Sequence, residues 1–134
     1  MRRISGPLLD RIDMHVEVPS VEYDAMRRRS RPEDSAAIRR RVNAAREIQK
    51  ARFAGTGVSC NAYMTPAMIG RFCTLDDAGE KLMQAAFDRM GLTGRSHDRI
   101  LRMARTIADL EGSDAIRPDH LAEAIQYRST NILK

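Results

Sequence analysis

Apolar residues recur along most of this chain at helical intervals, and the pattern breaks where Gly and Pro stand. Over 34–53, Ile38, Val42, Ala45 and Ile48 fall at i, i+4, i+7 and i+10, one stripe of an amphipathic helix. Asp34 or Ser35 can cap its start by accepting from first-turn N–H groups, and Gly55-Thr56-Gly57 ends it. Thr65-Pro66 supplies a cap and a proline at the first helical position. The short helix they open runs to about 73, with Met68, Ile69 and Phe72 inward. Thr74 with Asp77 three residues on has the form of a capping box. Leu75, Ala78, Leu82, Ala85 and Ala86 then repeat at helical spacing up to Gly91, a residue suited to stopping a helix. Ile100, Leu101, Ala104, Ile107 and Ala108 mark a helix over 94–111, with Gly112 after it, and Pro118 opens a last helix with Leu121, Ala124 and Ile125 inward.

The beginning of the chain reads differently. After Gly6-Pro7 and the segment 8–13, Met14, Val16 and Val18 alternate with His15 and Glu17, which predicts a half-buried strand. Pro19 and Pro32 bound a connector, and 129–134 read as a frayed tail. The expected architecture is all-α: a helical bundle with short antiparallel connections, preceded by a short strand remnant. Its divisions are 1–20 (strand-bearing segment), 21–33 (connector), 34–128 (helical domain) and 129–134 (tail). So abrupt a start gives the chain the look of a piece of something longer.

Composition agrees with helices. Of 134 residues 43% are hydrophobic but only 4% aromatic, so Ala, Leu, Ile and Met must do the packing. No apolar run approaches the ~20 residues of a membrane span, and no secretory leader is visible. A cytoplasmic setting is expected, and Cys60 and Cys73, with no CxxC and no His at ligand spacing, read there as idle thiols. His15, His97 and His120 are scattered without metal-ligand spacing, so no metal site is expected. The net charge of +5 is local: residues 27–52 hold ten Lys/Arg against three Asp/Glu, leaving the rest slightly acidic. Arg39, Arg40 and Arg46 on the first helix are the candidates for nucleic-acid phosphate. A solvated face and a contact with a neighbouring subunit explain them as well, and there is little aromatic interleaving to stack bases.

Two arginines stand out by context. Arg11 lies in Leu8-Leu9-Asp10-Arg11-Ile12-Asp13, held by apolar neighbours, and its planar fork of donors suits phosphate oxygens. Arg95 lies in the first turn of the 94–111 helix, the end that favours anions. Local pairing, with Asp10 or Asp13 and with Asp98, is the ordinary explanation of each. Arg99, Arg102 and Arg105 follow at i+3 spacing and read as a basic edge facing solvent or an interface. Gly91 and Gly94 outline a GxxG loop, but serve better as a helix stop and a helix start.

These segments carry a resemblance. The 8–13 run resembles the arginine-finger segment of AAA+ ATPases in the branch of the magnesium-chelatase subunits and the MCM helicases. The stretch 93–110 resembles the sensor-2 helix of the same branch, and with 116–128 it is similar to the bacterial magnesium-chelatase-like, ComM-type group. The resemblance implies an AAA+ lid domain after the last strand of an ATPase core, with Arg11 acting as an arginine finger in trans and Arg95 as sensor 2. It implies ATP as cofactor, a hexameric ring in AAA+ fashion as self-partner, and DNA branch migration in natural transformation as the activity. No G-x-x-x-x-G-K-[ST] occurs, so the magnesium ion would be bound by core residues outside this chain, which is expected to be inactive by itself. The alternatives are a small basic helical nucleic-acid-binding module and the lid of a true magnesium chelatase subunit. A phosphate-binding loop encoded upstream of Met1 would decide for an ATPase.

Overall fold

Most helices begin at the cap their sequence offers. The computed structural model describes residues 8, 11–16, 18 and 33–128. Within them lie α1 (Ser35–Arg52), a 3-10 turn (Asn61–Tyr63), α2 (Pro66–Phe72), α3 (Asp77–Met90), α4 (Gly94–Glu111) and α5 (Pro118–Gln126). Asp34 accepts from the Ala37 N–H at 2.8 Å, Thr65 from Met68 at 3.2 Å and Thr93 from Ser96 at 3.2 Å. At α3 the cap is Asp76, not Thr74: its carboxylate accepts from Gly79 N–H at 2.7 Å. A charged oxygen next to the helix start outcompetes a hydroxyl two residues further back. Gly91 and Gly112 end α3 and α4 in the left-handed conformation, φ 61° and 75°.

The long helix α4 is the hub. It packs against α1, the 3-10 turn, α2 and α5, while α3 rests on α5. Ile100, Leu101, Ala104 and Ala108 of α4 meet Leu121 and Ala124 of α5, Met83 of α3, Ile69 of α2, and Phe53, Met64, Cys73 and Ile116 from the connections. The bundle is all-helical over the described residues, as expected.

Three details differ from the sequence pattern. On α3 the inward face is Gly79, Met83 and Ala86, while Ala78 and Ala85 are exposed. A Cβ on Gly79 would stand 3.1 Å from Asp76 Oδ1 and 3.2 Å from Leu75 Cβ, so the bare glycine lets the helix start close down on its cap. On α1 only Ala45 and Gln49 are buried, and Ile38 and Ile48 remain 44% and 38% exposed. Ile38 and Val42 line an open groove with Ile107 and Leu110, rimmed by Glu111, Asp119 and Glu123. Finally, Leu8 and Arg11 have helical backbone, and Met14, His15, Val16 and Val18 are not in a strand. His15 is buried while Met14, Val16 and Val18 are exposed, the reverse of the alternation expected. A strand requires a neighbour to pair with, and among the described residues none is offered. The connector and the tail lie outside the described residues, apart from Glu33.

Candidate functional site

The geometry of the site starts with what α4 does with its four arginines. Arg105 is buried: its Nε faces Asp109 at 3.3 Å, and its two terminal nitrogens donate to the carbonyls of Asp114 and Ser113 at 3.0 and 2.7 Å. Arg102 donates to the Met64 carbonyl at 2.9 Å. Arg99 donates to the Arg11 carbonyl at 2.9 Å and pairs with the Asp13 carboxylate. The i+3 series is therefore no basic edge. A guanidinium reaches several carbonyls at once, and three of these four side chains tie loops to the helix.

Arg95 is the exception. It is exposed, and its guanidinium has no hydrogen bond or ion pair among the described residues. Asp98, its expected local partner, instead faces the His97 ring at 3.2 Å. The first turn of α4 holds no acidic residue. Ser96 N–H is met by Thr93, and the N–H groups ahead of it have no intrahelical carbonyl to bond. A free cation, a helix dipole and orphan donors thus coincide at one helix end, a combination that suits a phosphate.

The Arg11 segment lies against the same helix. Besides the bonds to Arg99, Arg128 donates to the Ile12 carbonyl, and His15 N–H donates to the Tyr127 carbonyl at 2.7 Å. The Arg11 side chain is exposed and unpaired among the described residues, because Asp13 is taken by Arg99. Local pairing with Asp13 or Asp98 therefore accounts for neither candidate. Asp10 lies outside the described residues.

Behind this surface sits a buried polar network that the sequence reading missed. Asp109, whose side chain is 0% exposed, receives both terminal nitrogens of Arg52 at 2.8 and 2.6 Å, Asn61 Nδ2 at 2.9 Å and Arg105 Nε. Asn61 also donates to Thr106 Oγ1 and accepts from Arg52, and its N–H donates to Gln49 Oε1 at 2.9 Å. The available signal was that Arg105 falls between Leu101 and Ala108 at i+4 and i+7, in the apolar stripe itself, with Asp109 four residues on.

On α1, Arg39, Arg40 and Arg46 are exposed. The local charge excess overstates what is available there, since Arg52 is consumed by Asp109 and Arg41 pairs with Glu33 at 2.8 Å. Residues 27–31 lie outside the described residues.

A cluster of ligand-type groups does form, from Glu111, Asp119 and His120, with one ligand atom from each lying within 4.8 Å of the others. His120 Nδ1 accepts the Arg117 N–H at 3.0 Å. The neutral ring accordingly carries its proton on Nε2, which faces the Glu111 carboxylate. A metal would need that Nε2 lone pair, with Nδ1 donating. The geometry is that of a helix cap. The His120 hydrogen bond, then Arg117, holds Glu111 below the ordinary carboxylate value of 4.5. Burial pushes the Cys73 thiol up to about 11, so this side chain packs as an inert apolar group. Among the described residues, no helix is long and apolar enough to cross a membrane.

Residues 32–128 match the family described as magnesium chelatase, subunit ChlI C-terminal. The chain is 42% identical over 130 residues to competence protein ComM of Haemophilus influenzae, covering 96% of this chain and 25% of that protein. It is 37% identical over 134 residues to YifB of Escherichia coli, covering 99% of this chain and 26% of that protein. YifB of Salmonella typhimurium is 35% identical over the same length and coverage. The chain thus spans about a quarter of the length of these relatives.

Proposed function

The chain belongs to the magnesium chelatase ChlI C-terminal family, and on that premise we propose that it is the helical lid, with the finger-bearing end of the core, of a ComM-type AAA+ ATPase. In the whole protein, ATP lies between subunits of a ring, which we take to be a hexamer. Arg95 faces the γ-phosphate of its own subunit's nucleotide, and Arg11 reaches the nucleotide of the neighbour, where a guanidinium stabilises charge on the transferring phosphoryl. No phosphate loop occurs in the 134 residues, so the phosphate cradle and the magnesium ligands come from outside them.

One observation carries this reading. Of the four arginines on α4, three are bound up inside the fold and Arg95 alone is open, while Arg11 is exposed on the segment docked to that helix. The likeness to a protein named for competence supports a place in that process, and we take DNA to be the substrate moved. We assign the motor to branch migration during natural transformation, with Arg39, Arg40 and Arg46 on the DNA backbone.

The test uses the full-length protein. Arg11→Ala is expected to leave ATP binding intact and to lower turnover by about 10³-fold or more, the scale of arginine fingers. Mixed with a subunit dead in its own phosphate loop, it is expected to restore part of the hydrolysis, because the two lesions fall in different composite sites. Mixed rings that assemble yet stay inactive would count against action in trans.

A further inference from the structure

Arg11 owes its place to two other arginines. Arg99 donates to the Arg11 carbonyl at 2.9 Å and pairs with Asp13. Arg128, just past α5, donates to the carbonyl of Ile12 and reaches Ser96 Oγ at 3.5 Å. His15 N–H adds a bond to the Tyr127 carbonyl at 2.7 Å. Two of the acceptors are main-chain oxygens of Arg11 and its immediate neighbour. They fix the backbone of Arg11 and leave its exposed side chain free to reach outward.

The anchor point matters. Arg99 follows Arg95 by four residues on α4, so the two share a face, about 6 Å apart along the axis. Ser96, touched by Arg128, adjoins Arg95. The segment bearing one candidate cation is therefore bolted to the same rigid rod, within about a turn of the other.

We infer that Arg99 and Arg128 are positioning residues for Arg11, and that they couple it to Arg95. This rests on the reading of Arg11 as a finger. A displacement of α4 when Arg95 meets a phosphate carries the Arg11 backbone with it, so occupancy of one site adjusts the cation presented to the next. Arg128 uses both ends of its planar fork, one terminal nitrogen on Ile12 and the other on Ser96, an arrangement lysine does not have.

The experiment is a double-mutant cycle in the full-length ATPase, with ring assembly and ATP affinity measured for every variant. Arg99→Gln is expected to lower kcat by about 10- to 100-fold, the range a misplacement of order 1 Å produces, with ATP affinity unchanged. Arg11→Ala is expected to lower it by about 10³-fold, and the double variant to match Arg11→Ala alone, since a positioning residue has nothing left to position. Arg128→Lys is expected to rescue little of the loss of Arg128→Gln. If the Arg99→Gln loss instead multiplies onto that of Arg11→Ala, positioning is overturned while the finger reading stands. If Arg11→Ala has no effect, both fall. Should Arg99→Gln fail to fold or assemble, Asp13→Asn and Arg128→Gln take its place in the same cycle. Losses that vanish in the Arg11→Ala background support the inference, and losses that persist overturn it.

Discussion

Replacing Asp109 with leucine should loosen α1 from the bundle. The carboxylate is fully buried and takes donors from Arg52, Asn61 and Arg105. Leucine is close in size, so the change leaves little cavity. It leaves instead the guanidinium of Arg105, 5% exposed, and that of Arg52, 12% exposed, without their anion. Breaking a buried pair in this way costs about 3–5 kcal/mol. With a urea slope of about 1–3 kcal/mol/M for a domain of this size, the unfolding midpoint should fall by roughly 2 M. Circular dichroism through a urea titration measures it. The triple variant Arg52→Met, Arg105→Met, Asp109→Leu removes every charge together and should recover most of the loss. A loss below about 1 kcal/mol, the worth of an exposed pair, would refute the reasoning. So would a triple variant no more stable than the single one.

Two further outcomes follow from the surface. If α1 tracks DNA, the chain binds duplex DNA without sequence preference, and Arg39, Arg40 and Arg46 changed together to Gln flatten the log–log salt slope by up to about three units. An unchanged slope, measured by anisotropy, rules out that contact. The Glu111 carboxylate is held low by His120 and Arg117, so its contribution is fully present above the unfolded value near 4.5 and is lost as pH falls through the folded one. The difference in urea midpoint between the native chain and Glu111→Gln should therefore close on acidification. A gap still open at about pH 2 would contradict the pairing.

The helices were legible because their signals are local. Asp34, Thr65-Pro66, Thr93, Gly91, Gly112 and Pro118 each act within a turn of where they stand. The inward faces were read less well where a polar group wins a buried place through a distant partner. Gln49 goes in because Asn61 N–H needs an acceptor, and Ile48, next to it, stays out. Arg99, Arg102 and Arg105 look like one basic edge in the sequence, and only their carbonyl and carboxylate partners, up to 88 positions away, show otherwise. The alternation at 14–18 describes a strand whose pairing partner is not among the described residues. Arg11 and Arg95 stood out by context, and the resemblance supplied their roles. The sequence alone had no way to show that Asp13 and Asp98 are engaged elsewhere.

The manner in which α1 is held has a consequence for alignment. Ala45 is the only apolar side chain that α1 buries, and a methyl group offers a sliding helix almost no notch. A shift of one turn, about 5.4 Å, would leave the Ala45 contact little changed but pull Phe53, the next residue after α1, from its place in the core. It would also carry Arg52 out of reach of Asp109 and Gln49 out of reach of Asn61. The register of α1 on the bundle is thus encoded by directional bonds along the helix together with the Phe53 ring at its end. Since α1 also carries Arg39, Arg40 and Arg46, these bonds decide where along the molecule its positive charge is displayed.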